Sequence, residues 1–288
     1  MDRLGFFLRR EHTAYYDVHA RRAELSAPEN TSRSVDDALR LSTEAARIVL
    51  EAGGETYRAE DVMTAIASAL GGLDADSFAT PTGFMASCDD SAGGSHAVVK
   101  RIRKRQLNLE KIARINALAR DTVSGRLDQD GIERELCGID ALGSYPEPLP
   151  TIGAAFVTGF FCLLFGGAWN DALIAAVIGV VIGRITAWLG SMKLSEFFSN
   201  MVGGGFAAGA ALSAAYLGIA GNEDAMIIGS IMLLVPGVMI VNAIRDIIAG
   251  DLVAGIARGA DAFISAAGIS IGVGLALQLA RLLSGGTA

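Results

Sequence analysis

Charge is distributed so unevenly along this chain that no single soluble fold can hold it. The first 150 of 288 residues carry 19 Lys/Arg and 24 Asp/Glu, whereas residues 151–288 carry 5 and 7. Glycine runs the other way, 12 in the first stretch and 23 in the second. An ordinary soluble surface needs more charge than the second half supplies. The chain therefore reads as two materials in series, a charged soluble domain and an apolar membrane domain. A wholly soluble enzyme, a disordered chain and a collagen-like chain are excluded.

The boundary is a connector at 144–150, where Tyr145-Pro-Glu-Pro-Leu-Pro150 forbids both helix and ladder pairing. Residues 151–288 then read as a five-helix transmembrane domain. The runs Ile152–Trp169, Phe197–Asn222, Ala225–Ile244 and Ala262–Ala280 are uncharged, and Ala172–Met192 is interrupted only by Arg184. Each is near the roughly 20 residues a helix needs to cross hydrocarbon. The positive-inside bias assigns Lys193, Arg245 and Arg258 to inner loops, leaving Asn170-Asp171 and Asn222-Glu223-Asp224 outside. Five spans then place the N-terminus in the cytoplasm and the C-terminus outside the membrane. The apolar run Gly5–Leu8 is too short for a signal-peptide core. Glycines four apart, such as Gly179/Gly183, Gly205/Gly209, Gly255/Gly259 and Gly268/Gly272, share helix faces. They suit close packing in lipid or, as a second reading, a moving joint.

Within the first half, residues 1–33 read as a mobile tail and 34–143 as a cytoplasmic α/β domain. Helical periodicity predicts helices from Ser34 to the Gly53-Gly54 stop, over Thr56–Leu70, over Asn108–Ser124 and from Asp128 to about Leu142. Short runs at Asp76–Thr80, Phe84–Cys88 and Ala97–Ile102 read as strands, the first two separated by Pro81-Thr82-Gly83. A pI near 5.0 argues against a nucleic-acid binder. Three dispersed cysteines suggest neither a metal site nor a disulfide scaffold, and no cofactor is indicated.

The residues that can carry chemistry are few. Pro236-Gly237 interrupts an apolar span and frees a carbonyl one turn earlier. Asn242, Arg245 and Asp246 follow on one helix face, with Asp251 just beyond. Arg245 can hold a carboxylate in bidentate fashion, and Asp246 or Asp251 can meet an ammonium or a proton. A plain helix stop at the cytoplasmic interface explains Arg245 and Asp251 equally well. Arg184 reads as a snorkelling side chain or an intramembrane charge on the same path. Glu55, Tyr57, Arg58, Glu60 and Asp61 crowd one helix start, more than capping needs. The basic run Lys100–Arg105 would place Arg101, Arg103 and Arg105 on one face of a strand, either as a charged edge or towards lipid phosphates. No nucleophile and base converge in the sequence.

In this order, Ala52-Gly-Gly-Glu55-Thr-Tyr57-Arg58-Ala-Glu60-Asp61, then Thr80-Pro81-Thr82-Gly83, then Arg105-x-x-Asn108, then Pro236-Gly237…Asn242-Ala-Ile-Arg245-Asp246…Asp251 resembles the bacterial threonine/serine exporter family. The resemblance runs from about residue 35 to the C-terminus. It implies a proton-coupled secondary exporter of small hydroxy-amino acids, with some relatives implicated in dicarboxylate efflux, and therefore no enzyme. It also implies the larger, soluble-domain-bearing half of a ten-span assembly. The expected partners are thus the lipid membrane, a small-molecule substrate, and a smaller membrane subunit or a second copy. Two other classes remain open on the residues alone: a membrane-anchored, hydrolase-like enzyme, and a sensory or scaffold membrane protein.

Overall fold

The computed structural model describes residues 35–91, 94–103, 105–143 and 145–283. The tail expected at 1–33, Lys104 and the extreme C-terminus lie outside them. The chain divides into two compact units. One comprises the chain up to Ser144 together with Val241–Gly259; the other comprises Tyr145–Ile240 and the chain from Ala260.

In the first unit, α1 (Val35–Glu51) and α2 (Thr56–Ala69) precede a sheet of β1 (Leu73–Thr80), β2 (Gly83–Asp89) and β3 (Ser95–Arg101). Helices α3 (Leu109–Val123) and α4 (Gln129–Asp140) follow. The sheet is antiparallel in the order β1-β2-β3, with Thr80 opposite Gly83 and Met85 opposite Val99. Period-2 alternation sends Phe84, Ala86 and Cys88 inward. There they meet Ile48 and Val49 of α1, Met63 and Ile66 of α2, Ile115 of α3, and Ile132, Leu136 and Ile139 of α4 in one core. The two-residue turn Pro81-Thr82 closes the first hairpin. Gly83 is needed because a Cβ there would lie 2.7 Å from the Lys100 carbonyl oxygen.

The strand predicted to carry three arginines on one face ends at Arg101. Gln106 and Asn108 instead turn their backbone N–H groups to the carbonyls of Glu51 and Ala52, at 2.8 and 3.1 Å. A helix leaves its last carbonyls unpaired, and this connection satisfies those of α1. Lys100 points to the core side of the sheet and pairs with Glu44 on α1 at 2.9 Å.

The second unit contains α5 (Leu149–Leu164), α6 (Trp169–Ser191), α7 (Glu196–Tyr216) and α8 (Glu223–Ile231). It also takes the start of α9 (Gly237–Ala249) and most of α10 (Leu252–Leu283). Helix α5 begins inside the expected connector, because Pro150 falls in its first turn, where a missing N–H costs nothing. Helices α6 and α10 are long and apolar enough to cross a membrane, and α5 is a shorter apolar helix.

Four expectations change here. The fourth apolar run is two helices, interrupted over 232–236, rather than one kinked span. The fifth run starts at Leu252, because Gly250, at φ +98°, turns the chain immediately after α9. Arg245 and Arg258 consequently lie within α9 and α10, not in loops. Close helix approach does use the small residues: Cβ atoms at Gly204 and Gly229 would lie 2.7 and 2.6 Å from the backbones of Ile269 and Cys162. Asp171, expected in an outer loop, is buried in the first turn of α6. It accepts the N–H groups of Ala168 and Gly221 at 2.9 and 2.8 Å.

Candidate functional site

Two helix corners in the first unit are built alike and meet. At the end of α1, the N–H of Gly53 bonds Leu50 and that of Gly54 bonds Val49, with Gly53 at φ +79°. At the end of α9, the N–H of Gly250 bonds Ile247 and that of Asp251 bonds Asp246, at 3.1 and 2.8 Å. Both are Schellman stops, in which a left-handed glycine lets the chain fold back over the last turn. Gly54 adds a steric demand, since a Cβ there would fall 2.6 Å from Val49 Cγ1.

The first corner, residues 53–56, presents two carbonyls, a carboxylate and a hydroxyl; α9 and α10 supply the complements. Asn242 Nδ2 donates to the Gly53 carbonyl at 2.9 Å, and an Arg258 Nη donates to that of Gly54 at 2.6 Å. Arg245 donates to Glu55 Oε1 at 2.8 Å. The Thr56 hydroxyl lies 3.1 Å from Asp246 Oδ1 and 3.3 Å from Asp251 Oδ2, so its single proton is shared between two carboxylates. Arg258 Nε lies 2.9 Å from Asp246 Oδ2. That approach is not aligned as a hydrogen bond, so its attraction is mainly Coulombic.

These groups differ sharply in access. Asp246 and Arg258 are closed off, at 0% and 6% side-chain exposure, and a charge so placed is tolerable only with its partner. Arg245 is 56% exposed while its partner Glu55 is only 7% exposed. Asp251 is half-buried. Glu55 is held from both sides, since Arg58 Nε donates to its Oε2 at 2.9 Å and packs over the Tyr57 ring. Burial alone would raise the Glu55 carboxyl. Its own backbone N–H and the guanidinium groups of Arg58 and Arg245 outweigh that and hold it below the usual carboxylate range. Arg58, Glu55 and Arg245 thus form a positive lobe, and Asp246, Asp251 and Arg258 a negative one.

The sequence-selected residues fall into distinct places. Asn242, Arg245, Asp246 and Asp251 join Glu55, Tyr57 and Arg58 at this meeting of corners. Glu60 turns elsewhere and accepts the Ala79 N–H at 2.7 Å, fixing α2 to β1. Asp61 lies on α2 and Pro81, Thr82 and Gly83 at the hairpin. Asn108 caps α3 by accepting the Lys111 N–H at 3.1 Å, and Arg105 precedes it in the connection. Arg184, 62% exposed on α6, lies 3.4 Å from Glu147. Pro236 and Gly237 belong to the interruption between α8 and α9.

Sequence reasoning missed Thr56, the two glycine carbonyls and, above all, Arg258, which it had placed in an inner loop. The signal was available: a buried arginine in an apolar helix needs a buried carboxylate, and Asp246 lies just across the Gly250 turn.

Two helices of the chain are long and apolar enough to cross a membrane, and the family it matches is one of membrane exporters. The family model described as "Putative threonine/serine exporter" matches residues 40–280, and the chain belongs to that family. It is 31% identical over 188 residues to the threonine/serine exporter of Corynebacterium glutamicum, covering 63% of this chain and 38% of that one. It is 30% identical over 186 residues to the "Probable threonine/serine exporter" of Mycobacterium tuberculosis, covering 63% and 34%. To the "Probable succinate transporter subunit YjjP" of Klebsiella aerogenes it is 23% identical over 248 residues, covering 83% and 93%. The chain therefore spans little more than a third of the first two relatives and nearly all of the third. No solved structure matches.

Proposed function

We propose that this chain is the soluble-domain-bearing subunit of a proton-coupled secondary exporter, and that zwitterionic hydroxy-amino acids suit its site better than dicarboxylates. The observation that carries the reading is an exposed guanidinium, Arg245, near a half-buried carboxylate, Asp251, across the Glu55-Thr56 corner. Arg245 takes the substrate carboxylate, and Asp251 takes its ammonium group or a coupling proton. A dicarboxylate would bring a second negative charge towards Asp251 and be disfavoured. Asn242 and Asp246, closed into contacts with Gly53, Thr56 and Arg258, hold the site rather than touch the solute.

In this reading the chain crosses the membrane five times, with the soluble domain in the cytoplasm. It completes its path with a smaller membrane subunit or a second copy. Support for a partner comes from the subunit name of the Klebsiella relative and from the greater length of the Corynebacterium one.

The test is counterflow of labelled L-threonine and succinate in vesicles carrying the intact transporter. Arg245→Gln should abolish saturable flux of both. Asp251→Asn should depress threonine flux at least tenfold and leave succinate flux unchanged or raised. Parental flux by the Arg245→Gln protein would sink the assignment. Equal loss of both solutes in Asp251→Asn would remove the preference for zwitterions.

A further inference from the structure

Arg245, the group assigned to the substrate carboxylate, already holds one. We propose that Glu55 is a resident stand-in for the substrate: the solute's carboxylate displaces it from Arg245, and the displacement releases the α1–α2 corner. The inference rests on the reading of Arg245 above and adds to it a residue that sets affinity and couples binding to movement.

Three features of the cluster favour exchange at this pair and at no other in it. The first is access. Arg245 is more than half exposed and makes one 2.8 Å contact to Glu55, so other N–H groups of its guanidinium fork remain for an incoming carboxylate. The second is that Glu55 has somewhere to go. Its other oxygen is bound by Arg58 at 2.9 Å, so leaving Arg245 does not strand a buried carboxylate, the outcome that makes breaking most buried pairs prohibitive. The third is contrast. Asp246 and Arg258 are both closed to solvent, at 0% and 6% side-chain exposure, so an incoming carboxylate does not reach that pair. The first pair is a latch and the second a hinge.

The corner is also mechanically able to respond. Glu55 occupies the N-cap position of α2 without spending its side chain on the cap, because that carboxylate is committed to the two arginines. Releasing Arg245 therefore loosens residues 54–57 without unravelling α2, while Asn242 still holds the Gly53 carbonyl. One carboxylate replaces another on the same guanidinium, so the exchange itself is close to neutral, and solute concentration sets the balance.

Because Glu55 competes with the solute, removing its charge should tighten binding. Glu55→Gln in the intact transporter should lower the half-saturation concentration for L-threonine by about tenfold, the gain expected when a competing closed state is removed. Hydrogen exchange on the full wild-type chain supplies a second readout. Saturating L-threonine should speed exchange of the amides of residues 54–57, and the effect should vanish in Arg245→Gln and in Glu55→Gln. If Glu55→Gln does not fold, Glu55→Asp decides: too short to span both arginines, it should shift half-saturation in the same direction. Unchanged half-saturation in the folded Glu55 variants, with Arg245→Gln inactive, overturns the stand-in alone. So does slower exchange of residues 54–57 on adding threonine. Parental transport by Arg245→Gln would overturn the underlying reading instead.

Discussion

Asp246 and Arg258 show how far a single pair can determine what a helix corner tolerates. Both are closed to solvent and 2.9 Å apart, so removing either takes from a buried charge the opposite charge beside it. Asp246→Asn or Arg258→Met should each cost about 3–5 kcal/mol. The double replacement Asp246→Leu with Arg258→Met should cost clearly less than the two singles combined. Thermal unfolding of the detergent-solubilised full chain measures this, and additive losses would refute the coupling. A second residue, His96, carries a pH dependence. Its Nδ1 faces Asp36 at 2.7 Å and its Nε2 faces Asp90 at 3.3 Å. Hydrogen bonds to Asp90 and Asp36 raise its pKa above the ordinary histidine value. A raised native value means the contact stabilises fully below the unfolded pKa, about 6.5, and is lost as pH climbs through the higher native one. The wild-type protein should therefore melt above His96→Gln at about pH 6, and the two should converge at alkaline pH. A gap that widens with pH would contradict this sign. Of these residues, Asp246 was legible from its place on the Asn242–Arg245 face. Arg258 was less so, because the sequence does not say that it is buried, and burial is what makes its pairing with Asp246 necessary.

At the scale of elements, glycines of one sequence type do unlike jobs. Gly204 leaves no room, with Ile269 backbone 2.7 Å from where a Cβ would sit, whereas Gly209 has nothing within 4 Å. Gly204→Val should therefore push α7 from α10 and lower the melting temperature by several degrees. Gly209→Ala should be neutral or slightly stabilising, since alanine favours helix. Equal effects would mean that the contact at Gly204 does not decide. Periodicity made the helices and strands between residues 35 and 143 visible to within a few residues, because each has one buried face. It failed at the fourth apolar run. Hydropathy there is continuous through the interruption at 232–236, and Pro236 announces a disturbance without saying how large. The basic run misled beyond β3: it continues through Arg105, although the strand ends at Arg101 and the N–H groups of Gln106 and Asn108 meet the end of α1.

For the whole molecule, the charge boundary near residue 150 separates two compositions, whereas the two compact units of structure divide differently. Val241–Gly259 is apolar by composition and yet clusters with the charged unit. What draws it there is a handful of polar side chains meeting residues about 190 positions away. No local pattern encodes such a contact; only the unexplained charges hint that one exists. The same few charges govern orientation. Lys193 follows α6, whereas the polar residues near the α5–α6 and α7–α8 connections are Asn170, Asp171, Asn222, Glu223 and Asp224, none of them basic. Retention of basic residues on the cytoplasmic side predicts Lys193 inside and the 217–222 connection outside. Ile219 and Met192 are exposed, and Cys137 is the exposed cysteine among the described residues. In a Cys137→Ser background, a membrane-impermeant maleimide should label Ile219→Cys in intact cells and Met192→Cys only after the membrane is opened. The opposite pattern would invert the topology and place the Arg245–Asp251 cluster on the wrong side for export from the cytoplasm. Labelling of both positions in intact cells would mean that the interrupted α8–α9 run does not count as one crossing.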